Sequence, residues 1–529
     1  MSHGVKILDC TLRDGGYVNN WEFGENNIKF IIEKLSGAHI DIVECGFYSP
    51  HKQYDANRTI YTNFNDILDI ARSNADRDIA CMVNYGECDL TELPVSDGSC
   101  RVNIRIAFHQ KDLDKALLFC EGVQKKGYEV FVQPMNTVAY SDDDFKLLFD
   151  RCNDMNPRAV YIVDSFGSMK PDQLKRLFSL YSENLKSSIC IGFHSHNNLQ
   201  MSFTNSQELL RQNNDRDIII DSSVLGMGRG AGNLCTELLT MYLNDNYGKH
   251  YGIIPILEIV DNCVAAIFAR QPWGYSMPYY IASVNGCHPN YATYLANKQT
   301  IGVQAINEIL ASLPYEHRSH YNQEEIENLY IDYQNQAIDD AENLVRLKTL
   351  LDGREILILA PGKSISQEEI LIKEYLKIHK TLVISVNFTS SSFDSDMLFY
   401  SNSKRESSID WTNLSQKGKS IIATSNVHVD NGSAIRVNYK SLVCSKYGEA
   451  DNACLMLLRL LKKIGRRRIT IAGFDGFSVG RENYHSDNVQ NIVNSEIITE
   501  RNKNISAQLK ELMQDMQIHF LTPSMYVTE

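Results

Sequence analysis

The first part of the chain, about 225 residues, predicts an α/β fold of the TIM (β/α)₈ barrel type. Eight short apolar runs have the length and β-branched content of buried strands. They cover residues 5–11, 40–47, 79–84, 102–108, 130–135, 160–164, 189–194 and 218–224. The intervening segments, such as residues 27–36 and 112–126, place apolar residues at helical spacing. A doubly wound sheet uses the same alternation, but eight units with polar residues at the strand ends favour the barrel.

The end of the first predicted strand carries charged residues that are unusual for a turn. Arg13 and Asp14 follow the apolar run and precede Gly15 and Gly16. The carboxyl ends of barrel strands build the active site, so this pair can hold a divalent metal and a fixed positive charge over an anionic substrate. For this segment alone, a surface ion pair beside a Gly-Gly turn is the alternative.

A second motif, His194-Ser195-His196, closes the seventh predicted strand. Residues two apart in a strand point to the same side, so the two imidazoles share a face while Ser195 points away. With Asp14 they offer two nitrogen atoms and one carboxylate oxygen, and coordination positions stay open for substrate. This donor set suits Mn²⁺ best, with Mg²⁺, Co²⁺ and Zn²⁺ as alternatives. The 13 cysteines form no Cys-x-x-Cys pair, so no zinc-finger site competes.

Other strand ends supply further polar residues. Glu44 lies in the second predicted strand, Arg105 in the fourth and Gln133 in the fifth. A glycine-rich loop follows the eighth strand and contains Gly228, Gly230, Gly232 and Asn233. Backbone amides in such a loop can bind an anion, so the three glycines are predicted to bind substrate. Arg105 and Gln133 are predicted to bind substrate because they lie on barrel strands that lead to the active site. A flexible turn has the same composition, and Asn233 fits either a metal ligand or a capping residue.

Four motifs together resemble the DRE-TIM metallolyases, a superfamily that includes 3-hydroxy-3-methylglutaryl-CoA lyase and 4-hydroxy-2-oxovalerate aldolase. The motifs are Thr-Leu-Arg-Asp-Gly at 11–15, Val-Glu-Cys-Gly-Phe at 43–47, His-Ser-His-Asn-Asn at 194–198 and Gly-Arg-Gly-Ala-Gly-Asn at 228–233. The resemblance implies that Asp14, His194 and His196 bind the metal. It implies that Arg13 stabilises an enolate oxygen and that Glu44 holds this arginine. The last motif is most similar to the pyruvate-specific aldolase branch.

One position departs from that branch. The aldolases have a catalytic histidine shortly after the Arg-Asp-Gly motif, and Tyr17 stands at the matching position here. A tyrosine has an ordinary pKa near 10, so Tyr17 is a poor base at neutral pH but a plausible proton donor. Related aldolases also place a tyrosine from a helical segment over the metal, and Tyr291 is predicted for this role. Tyr279, Tyr280 and His288 are the alternatives, and for any one of these residues aromatic packing among helices is the more common role.

The sequence therefore predicts a metal-dependent carbon–carbon lyase, a class II aldolase that forms or cleaves a bond through a pyruvate-type enolate. Its substrates would be a pyruvate-like 2-oxo acid and an aldehyde. Two alternatives stay open: a Claisen-type acyltransferase that uses an acyl-CoA, and a scaffold protein whose barrel has lost activity. No organic cofactor is required by this chemistry.

The rest of the chain predicts two further regions. Residues 1–255 form the predicted barrel, residues 256–348 a helical extension and linker, and residues 349–529 a Rossmann-like α/β domain. The last region has a Pro-Gly-Lys-Ser turn at 361–364, the acidic residues Asp394 and Asp396, and a Gly-Phe-Asp-Gly strand end at 473–476. These loosely resemble sialyltransferase-like and pterin-pyrophosphokinase-like domains, which implies a nucleotide-sugar or phosphate ligand and a link to surface-polysaccharide metabolism. A structural or oligomerising domain is the alternative.

Composition limits the function further. The 529 residues carry a formal charge of −13, which argues against nucleic-acid binding. No apolar run is long enough to span a membrane, and no signal peptide is found, so neither membrane insertion nor export is expected. Dispersed cysteines are typical of a reducing compartment, so a cytoplasmic location is predicted. A homo-oligomer is compatible with this composition.

Overall fold

The computed structural model describes residues 4–75, 77–212, 216–390, 392–404, 419–428, 434–478, 483–484 and 495–527. The chain divides into two compact units. The first comprises Met1–Ala292 and Pro314–Tyr321, and the second comprises Thr293–Leu313 and Asn322–Glu529. The helical extension predicted for residues 256–348 thus contributes to both units.

The first unit is built around a closed parallel barrel, as predicted. Its strands are β1 (Val5–Asp9), β2 (Ile42–Tyr48), β3 (Ile60–Tyr61), β4 (Asp78–Asn84), β5 (Val102–Phe108), β6 (Glu129–Pro134), β7 (Ala159–Asp164), β8 (Cys190–Ser195) and β9 (Ile218–Ser222). In the described residues, β1 pairs with both β2 and β9, which closes a ring of eight strands. The two-residue β3 pairs only with β2. All eight predicted strands are confirmed to within two residues at each end.

Both faces of the barrel strands are buried, because the side chains alternate between two apolar environments. One cluster, with Leu8, Ile42, Phe131, Tyr161 and Ile219 among its members, lies on one face of the strands. The neighbouring residues on the same strands join a larger cluster with the surrounding helices. This arrangement explains why the strands read as continuous apolar runs, and it leaves the strand ends free to carry polar groups.

Amphipathic helices cover the barrel. In Phe64–Ser73, the buried residues Phe64, Ile67, Leu68 and Ala71 form one stripe, and the Asn63 side chain caps the first turn by accepting from the Asn65 amide. In chain order, the first six α-helices of this unit with five or more residues are Glu25–Gly37, Phe64–Ser73, Leu113–Lys125, Asp142–Met155, Pro171–Asn184 and Ser202–Arg211. Those that follow are Thr236–Tyr247, Ile253–Ile259, Ala265–Arg270, Met277–Val284 and Pro289–Lys298, the last of which crosses into the second unit.

The second unit contains a parallel sheet, as predicted for a Rossmann-like domain. Its strands are β10 (Ile356–Leu359), β11 (Leu382–Val386), β12 (Met397–Tyr400), β13 (Ser420–Thr424), β14 (Ile435–Val437), β15 (Arg468–Ala472) and β16 (Gln517–Phe520). The order in the sheet is β14-β13-β12-β11-β10-β15-β16. Its α-helices of ten or more residues are Val303–Ser312, Gln323–Gln334, Ala341–Leu350, Glu369–Ile378, Ala453–Lys463 and Ser495–Met513. Among the described residues, no helix is both long and apolar enough to cross a membrane.

Candidate metal centre and active site

Three predicted ligands meet at the carboxyl end of the barrel. His194 lies in β8, His196 follows that strand, and Asp14 lies in the turn after β1. One ligand atom from each residue lies within 4.8 Å of the others, and all three residues are buried. Their exposed fractions are only 2 to 6%. The fold therefore brings together two imidazoles and a carboxylate that are about 180 positions apart in the sequence.

The hydrogen bonds around these residues suit a metal ion. Nδ1 of His194 lies 2.9 Å from the Asp221 carboxylate, an arrangement that fixes the ring and leaves Nε2 available as a ligand. Nδ1 of His196 is buried without a hydrogen-bond partner, and so is Oδ1 of Asn233. Buried polar atoms are rarely left unsatisfied, so these orphaned atoms fit a site that binds an additional group. Two nitrogens and a carboxylate oxygen are ligands for Mn²⁺, Co²⁺ or Zn²⁺, and less typically for Mg²⁺.

Asn233 holds the acidic ligand in place. Its side-chain Nδ2 donates to Asp14 Oδ2 at 2.7 Å and to the Met227 carbonyl at 3.1 Å. A ligand role for its Oδ1 stays a prediction, which the absence of a partner for this atom supports. Asn233 therefore acts at least as a positioning residue for Asp14.

Arg13 lies directly beside the predicted metal ligand. Its Nη1 donates to Asp14 Oδ1 at 2.5 Å, and its Nε donates to Glu44 Oε2 at 2.9 Å. Burial by itself would raise the pKa of Asp14, but the charges of Arg13 and the two histidines hold it well below its usual range. Asp14 is therefore ionised at neutral pH and ready to bind a cation. Glu44 fixes the guanidinium of Arg13, as the sequence predicts.

Arg105 lies deeper than predicted. It has no exposed surface, and its guanidinium donates to Glu44 at 2.7 Å and to Asp221. The side-chain oxygen of Gln133, in the amide orientation that satisfies its neighbours, accepts from Arg105 at 2.7 Å. Arg105 and Gln133 are thus occupied with each other and with buried carboxylates, which corrects the prediction that they contact substrate. Their position supports the alignment of Glu44 and Asp221.

Asp221 is the functional residue that the sequence analysis missed. It lies in β9, where it links Arg105 to His194. Burial acts to raise the pKa of Asp221, but Arg105 and His194 outweigh this effect and lower it, so the carboxylate stays charged. An acidic residue that ends the apolar run Ile218-Ile219-Ile220 was the available signal.

Residues 4–253 match the HMGL-like family. The barrel is an HMGL-like domain. The predicted resemblance to the DRE-TIM metallolyases is therefore confirmed for this part of the chain.

Among curated proteins, the chain is 27% identical over 277 residues to an oxaloacetate decarboxylase of Mycobacterium tuberculosis. That alignment covers 51% of this chain and 79% of the relative. It is 29% identical over 311 residues to a 4-hydroxy-2-oxovalerate aldolase of Chloroflexus aggregans, covering 56% of this chain and 85% of the relative. A solved N-terminal domain of a protein from Bacteroides vulgatus, described as an aldolase by similarity, is 27% identical, with a TM-score of 0.47. It covers 55% of this chain and 96% of that domain.

The family and the buried metal site together identify a metal-dependent carbon–carbon lyase of the class II aldolase type. The prediction of an enzyme in this class is confirmed.

The second half of the glycine-rich loop of the HMGL-like domain uses its amides for hydrogen bonds within the protein. The Ala231 amide donates to Asn198 Oδ1 at 2.8 Å, and the Asn233 amide donates to the Gly226 carbonyl at 2.9 Å. Gly232 has a φ of +82°, and a Cβ on it would lie 2.0 Å from that same carbonyl oxygen.

The two other glycines of this loop also lie too close to neighbouring atoms for a side chain to fit. A Cβ on Gly230 would lie 2.8 Å from Asn198 Oδ1, and one on Gly228 would lie 2.4 Å from Asn233 Nδ2. Close packing therefore explains why glycine stands at all three positions, and the role of their amides as substrate ligands stays a prediction.

Tyr17 lies at the mouth of the site and is 42% exposed. Its ring packs edge-on against Trp21, with the centroids 4.8 Å apart, and the Arg229 guanidinium lies 5.6 Å from its centroid. Desolvation raises the pKa of its hydroxyl, while Arg229 has the opposite, weaker effect. Tyr17 is therefore protonated at neutral pH, which supports the prediction that it donates rather than accepts a proton.

Tyr291 does not have the predicted position over the metal site. It is fully buried, and its hydroxyl donates to the main-chain carbonyls of His317 and His320 at 3.1 and 2.5 Å. A structural role replaces the catalytic one predicted for it. His288 lies closer to the site: its Nε2 is 3.2 Å from Nη1 of Arg229. Burial and the charge of Arg229 lower the pKa of His288 to about 3, so it is neutral at physiological pH.

The second unit has its own cleft, at the carboxyl ends of β10, β11, β12 and β15. It measures about 970 Å³ including its mouth, and its lining includes Gly362, Asn387, Asn402, Glu449 and Phe474. The sheet order reverses between β10 and β15, and parallel sheets bind ligands at such a switch point. The buried Oδ1 of Asn402 has no hydrogen-bond partner there.

Two features that suggested a phosphate site have structural explanations. The amide and hydroxyl of Ser364 both donate to the Asp475 carboxylate, at 2.7 and 2.5 Å, so a carboxylate already occupies this turn. Asp396 accepts from the Val383 amide at 2.8 Å, and Asp394 pairs with Lys419 at 2.5 Å. The hydrogen bonds of Ser364 and Asp396 therefore have structural roles, whereas the exposed ion pair of Asp394 adds little to stability.

Proposed function

We propose that the HMGL-like domain enolises pyruvate or a close 2-oxo acid and joins the enolate to an aldehyde, or runs this reaction in reverse. The observation that carries the proposal is the ion pair of Arg13 with Asp14, directly beside the two histidines. The site thereby offers a fixed positive charge next to a cation site, in a buried place where charge is weakly screened.

The chemistry divides between the cation site and the residues around it. A divalent metal bound by Asp14, His194 and His196 would supply Lewis-acid polarisation of the keto group. Arg13 is placed to stabilise negative charge that develops on the enolate oxygen, and Glu44 keeps its guanidinium in that position. In the direction of bond formation, Tyr17 is placed to donate a proton to the aldehyde oxygen, which becomes an alkoxide as the new carbon–carbon bond forms. In the reverse direction the same proton leaves that hydroxyl before the bond breaks.

Decarboxylation of oxaloacetate is a second reaction that this site supports. Loss of CO₂ from oxaloacetate leaves the same pyruvate enolate, and one relative of this domain is named as an oxaloacetate decarboxylase. Arg13 would stabilise the enolate in either case. The Claisen-type alternative with an acyl-CoA has no relative among those described above.

Two finer predictions remain part of this proposal. Mn²⁺ is the proposed metal, because the ligand set combines nitrogen and oxygen donors. A cytoplasmic location is proposed because the 13 cysteines are dispersed along the chain, a pattern typical of a reducing compartment.

Exchange of the pyruvate methyl protons in D₂O, followed by NMR with and without Mn²⁺, tests the proposal. Metal-dependent exchange is expected in the wild type, together with a loss of at least a hundredfold in Arg13→Ala. Arg176→Ala, at an exposed site on helix Pro171–Asn184, is the matched control and should exchange normally. Absence of exchange in metal-loaded wild-type protein, tested also in the presence of candidate aldehydes, would overturn the proposal.

The second unit is proposed to bind a small ligand in the cleft at its strand ends. A nucleotide sugar remains the predicted ligand, and with it the link to surface-polysaccharide metabolism. Thermal unfolding with UDP-sugars, CMP-sugars and inorganic phosphate tests this assignment. A stabilisation by nucleotide sugars that Asn402→Ala abolishes would support it, whereas no stabilisation by any of them would contradict it.

A further inference from the structure

One arginine at the barrel mouth is not accounted for by the proposed reaction. Arg229 lies in the loop after β9, next to Gly228, whose Cα is so close to the metal ligands that a Cβ would lie 3.0 Å from Asp14 Oδ2. The side chain is partly exposed. Its Nη1 lies 3.2 Å from His288 Nε2, and its Nη2 donates to the Ser165 carbonyl at 3.4 Å.

Arg229 differs in its charge environment from the other two arginines of the site. Arg13 pairs with Asp14 and Glu44, and Arg105 pairs with Glu44 and Asp221. Within the described residues, no carboxylate lies within ion-pair distance of Arg229. Its contacts are an imidazole, a carbonyl oxygen and the ring of Tyr17. A partly buried cation without an anionic partner is costly, so this position calls for one.

The charge balance of the site points to the same conclusion. Asp14, Glu44 and Asp221 outnumber Arg13 and Arg105 by one negative charge. A divalent cation and the carboxylate of pyruvate, taken together, would cancel that charge. Arg229 takes no part in this network of ion pairs, and it lies at the mouth, where the second substrate has to enter.

The neighbours of Arg229 hold its guanidinium in place and leave several of its N–H donors available. The ring of Tyr17 lies 5.6 Å from the guanidinium carbon, and His288, which is neutral, offers a nitrogen rather than a competing charge. Two of the five N–H donors are engaged, both in long contacts. The remaining donors can form the paired hydrogen bonds with which arginine recognises carboxylate or phosphate.

We propose that Arg229 binds an anionic group, a carboxylate or a phosphate, on the second substrate of this enzyme. The inference rests on the proposed function of the same site, and it names the class of aldehyde: one that carries a negative charge away from its reactive carbon. Arg229 is thereby a specificity-determining residue, because a neutral aldehyde would leave its charge unpaired.

A binding measurement tests this inference without turnover. The probes are 2-oxoglutarate and 2-oxoadipate, which carry a second carboxylate, and the monocarboxylates of the same chain length, 2-oxopentanoate and 2-oxohexanoate. Calorimetry on the Mn²⁺-loaded protein should give at least tenfold tighter binding of one dicarboxylate than of its analogue. Arg229→Met should remove this preference, and Arg229→Lys should keep part of it.

Lys111→Met is the matched control, because it removes the same charge at an exposed position of the first unit. It should leave the preference intact. Equal affinities in the wild type, or a preference that persists in Arg229→Met, would overturn the inference. Loss of the preference in Lys111→Met as well would also overturn it, since the effect would then be one of net charge.

Turnover distinguishes the two possible anions. Aldol addition of pyruvate is compared for 4-oxobutanoate against 4-oxobutanamide, and for glyceraldehyde 3-phosphate against glyceraldehyde. A tenfold preference in kcat/KM that Arg229→Met abolishes identifies carboxylate or phosphate as the group bound. If pyruvate exchange fails but the Arg229-dependent binding preference stands, the proposed reaction is wrong and the anion subsite is retained.

Discussion

At the scale of single residues, the cation site makes the most direct prediction. Asp14→Asn and His194→Ala each remove one of three buried ligands, so metal binding and metal-dependent turnover should fall at least a hundredfold. Metal content of the purified protein and a Mn²⁺ titration measure the first effect, and circular dichroism checks the fold. Ser195→Ala is the control, because this hydroxyl is buried without a partner between the two histidines. Wild-type metal content in Asp14→Asn would contradict the ligand assignment.

Tyr17 carries the prediction about proton transfer. Tyr17→Phe removes the hydroxyl but keeps the ring that packs against Trp21, so metal affinity should stay within twofold of the wild type. Aldol turnover should fall by about a hundredfold, the usual contribution of a general acid. Tyr54→Phe, at a residue that is 55% exposed, is the control. An unchanged rate of aldol turnover in Tyr17→Phe would reject this tyrosine as the donor.

Asp9 predicts how the stability depends on pH. Burial raises the pKa of this carboxyl from 3.8 to about 6, despite hydrogen bonds from Thr236 and Thr11. The folded state therefore retains the proton while the unfolded state loses it, and stability falls as the pH rises from about 4 to about 6. Asp9→Asn removes this loss, so relative to wild type it should gain up to about 3 kcal/mol across that window.

Urea unfolding at pH 4, 5, 6 and 7 measures this difference, since the relative gain should level off above pH 6. Asp150→Asn, on an exposed surface of helix Asp142–Met155, should show no such trend. A constant difference between Asp9→Asn and wild type at all four pH values would show that Asp9 is not the titrating group.

At the scale of elements, a substitution of Gly232 in the loop after β9 should lower stability by more than its backbone conformation alone explains. Gly232 and Gly286 both have left-handed backbones, with φ of +82° and +62°. A Cβ would meet the Gly226 carbonyl oxygen at 2.0 Å in Gly232→Ala, but would meet no atom within 4 Å in Gly286→Ala. Both variants should lose about 1 kcal/mol from the backbone. Gly232→Ala should lose at least about 2 kcal/mol more in chemical denaturation.

Similar losses in both variants would mean that the loop relaxes around the added methyl group. The catalytic consequence would also differ, because Gly232 adjoins Asn233, which positions Asp14. Gly286→Ala should keep its turnover.

The elements also show what the sequence could predict. The eight barrel strands were predictable because each is buried on both faces and reads as an apolar run between breakers. In the second unit, the sequence predicts a strand before the Pro-Gly-Lys-Ser turn and strands near residues 381–386, 420–424 and 469–473, which correspond to β10, β11, β13 and β15. The strands β12, β14 and β16 were not predicted. They have only three or four residues, and β16 alternates exposed with half-buried positions. The metal ligands were predictable from local motifs.

The rest of the site depends on distances that no local pattern encodes. Arg105 is a charged residue in the middle of the apolar strand β5, and the sequence alone does not show that it binds two carboxylates from β2 and β9. The role of Asp221 at the metal site depends on its contact with His194, which lies 27 positions away in the sequence. Tyr291 and His288 are three residues apart in the sequence, and only the packing of the helix start decides which one approaches Arg229.

At the scale of the whole molecule, each compact unit has its own apolar core. Ile7, Ile104 and Val160 belong to the core of the first, and Ile358, Leu457 and Ile471 to that of the second. We therefore expect two transitions in thermal unfolding. Mn²⁺ at a hundred times its dissociation constant should stabilise only the barrel, by about 2.7 kcal/mol. Calorimetry of wild type and Asp14→Asn with and without metal measures this. A single transition that shifts as a whole would contradict it.

The alternating contacts Arg13–Glu44–Arg105–Asp221–His194 have a consequence for how variants of this enzyme should be interpreted. Every member has oppositely charged or polar neighbours. Replacing one residue therefore leaves the charge of a neighbour without its partner in the barrel interior. Loss of activity in a single variant here therefore identifies a catalytic group only when the fold and the metal content of that variant are shown to be intact. The informative quantity is the coupling energy between neighbours. The double variant Glu44→Gln/Arg105→Met should lose less stability than the sum of the losses in the two single variants. In evolution, these positions should accordingly change together or not at all.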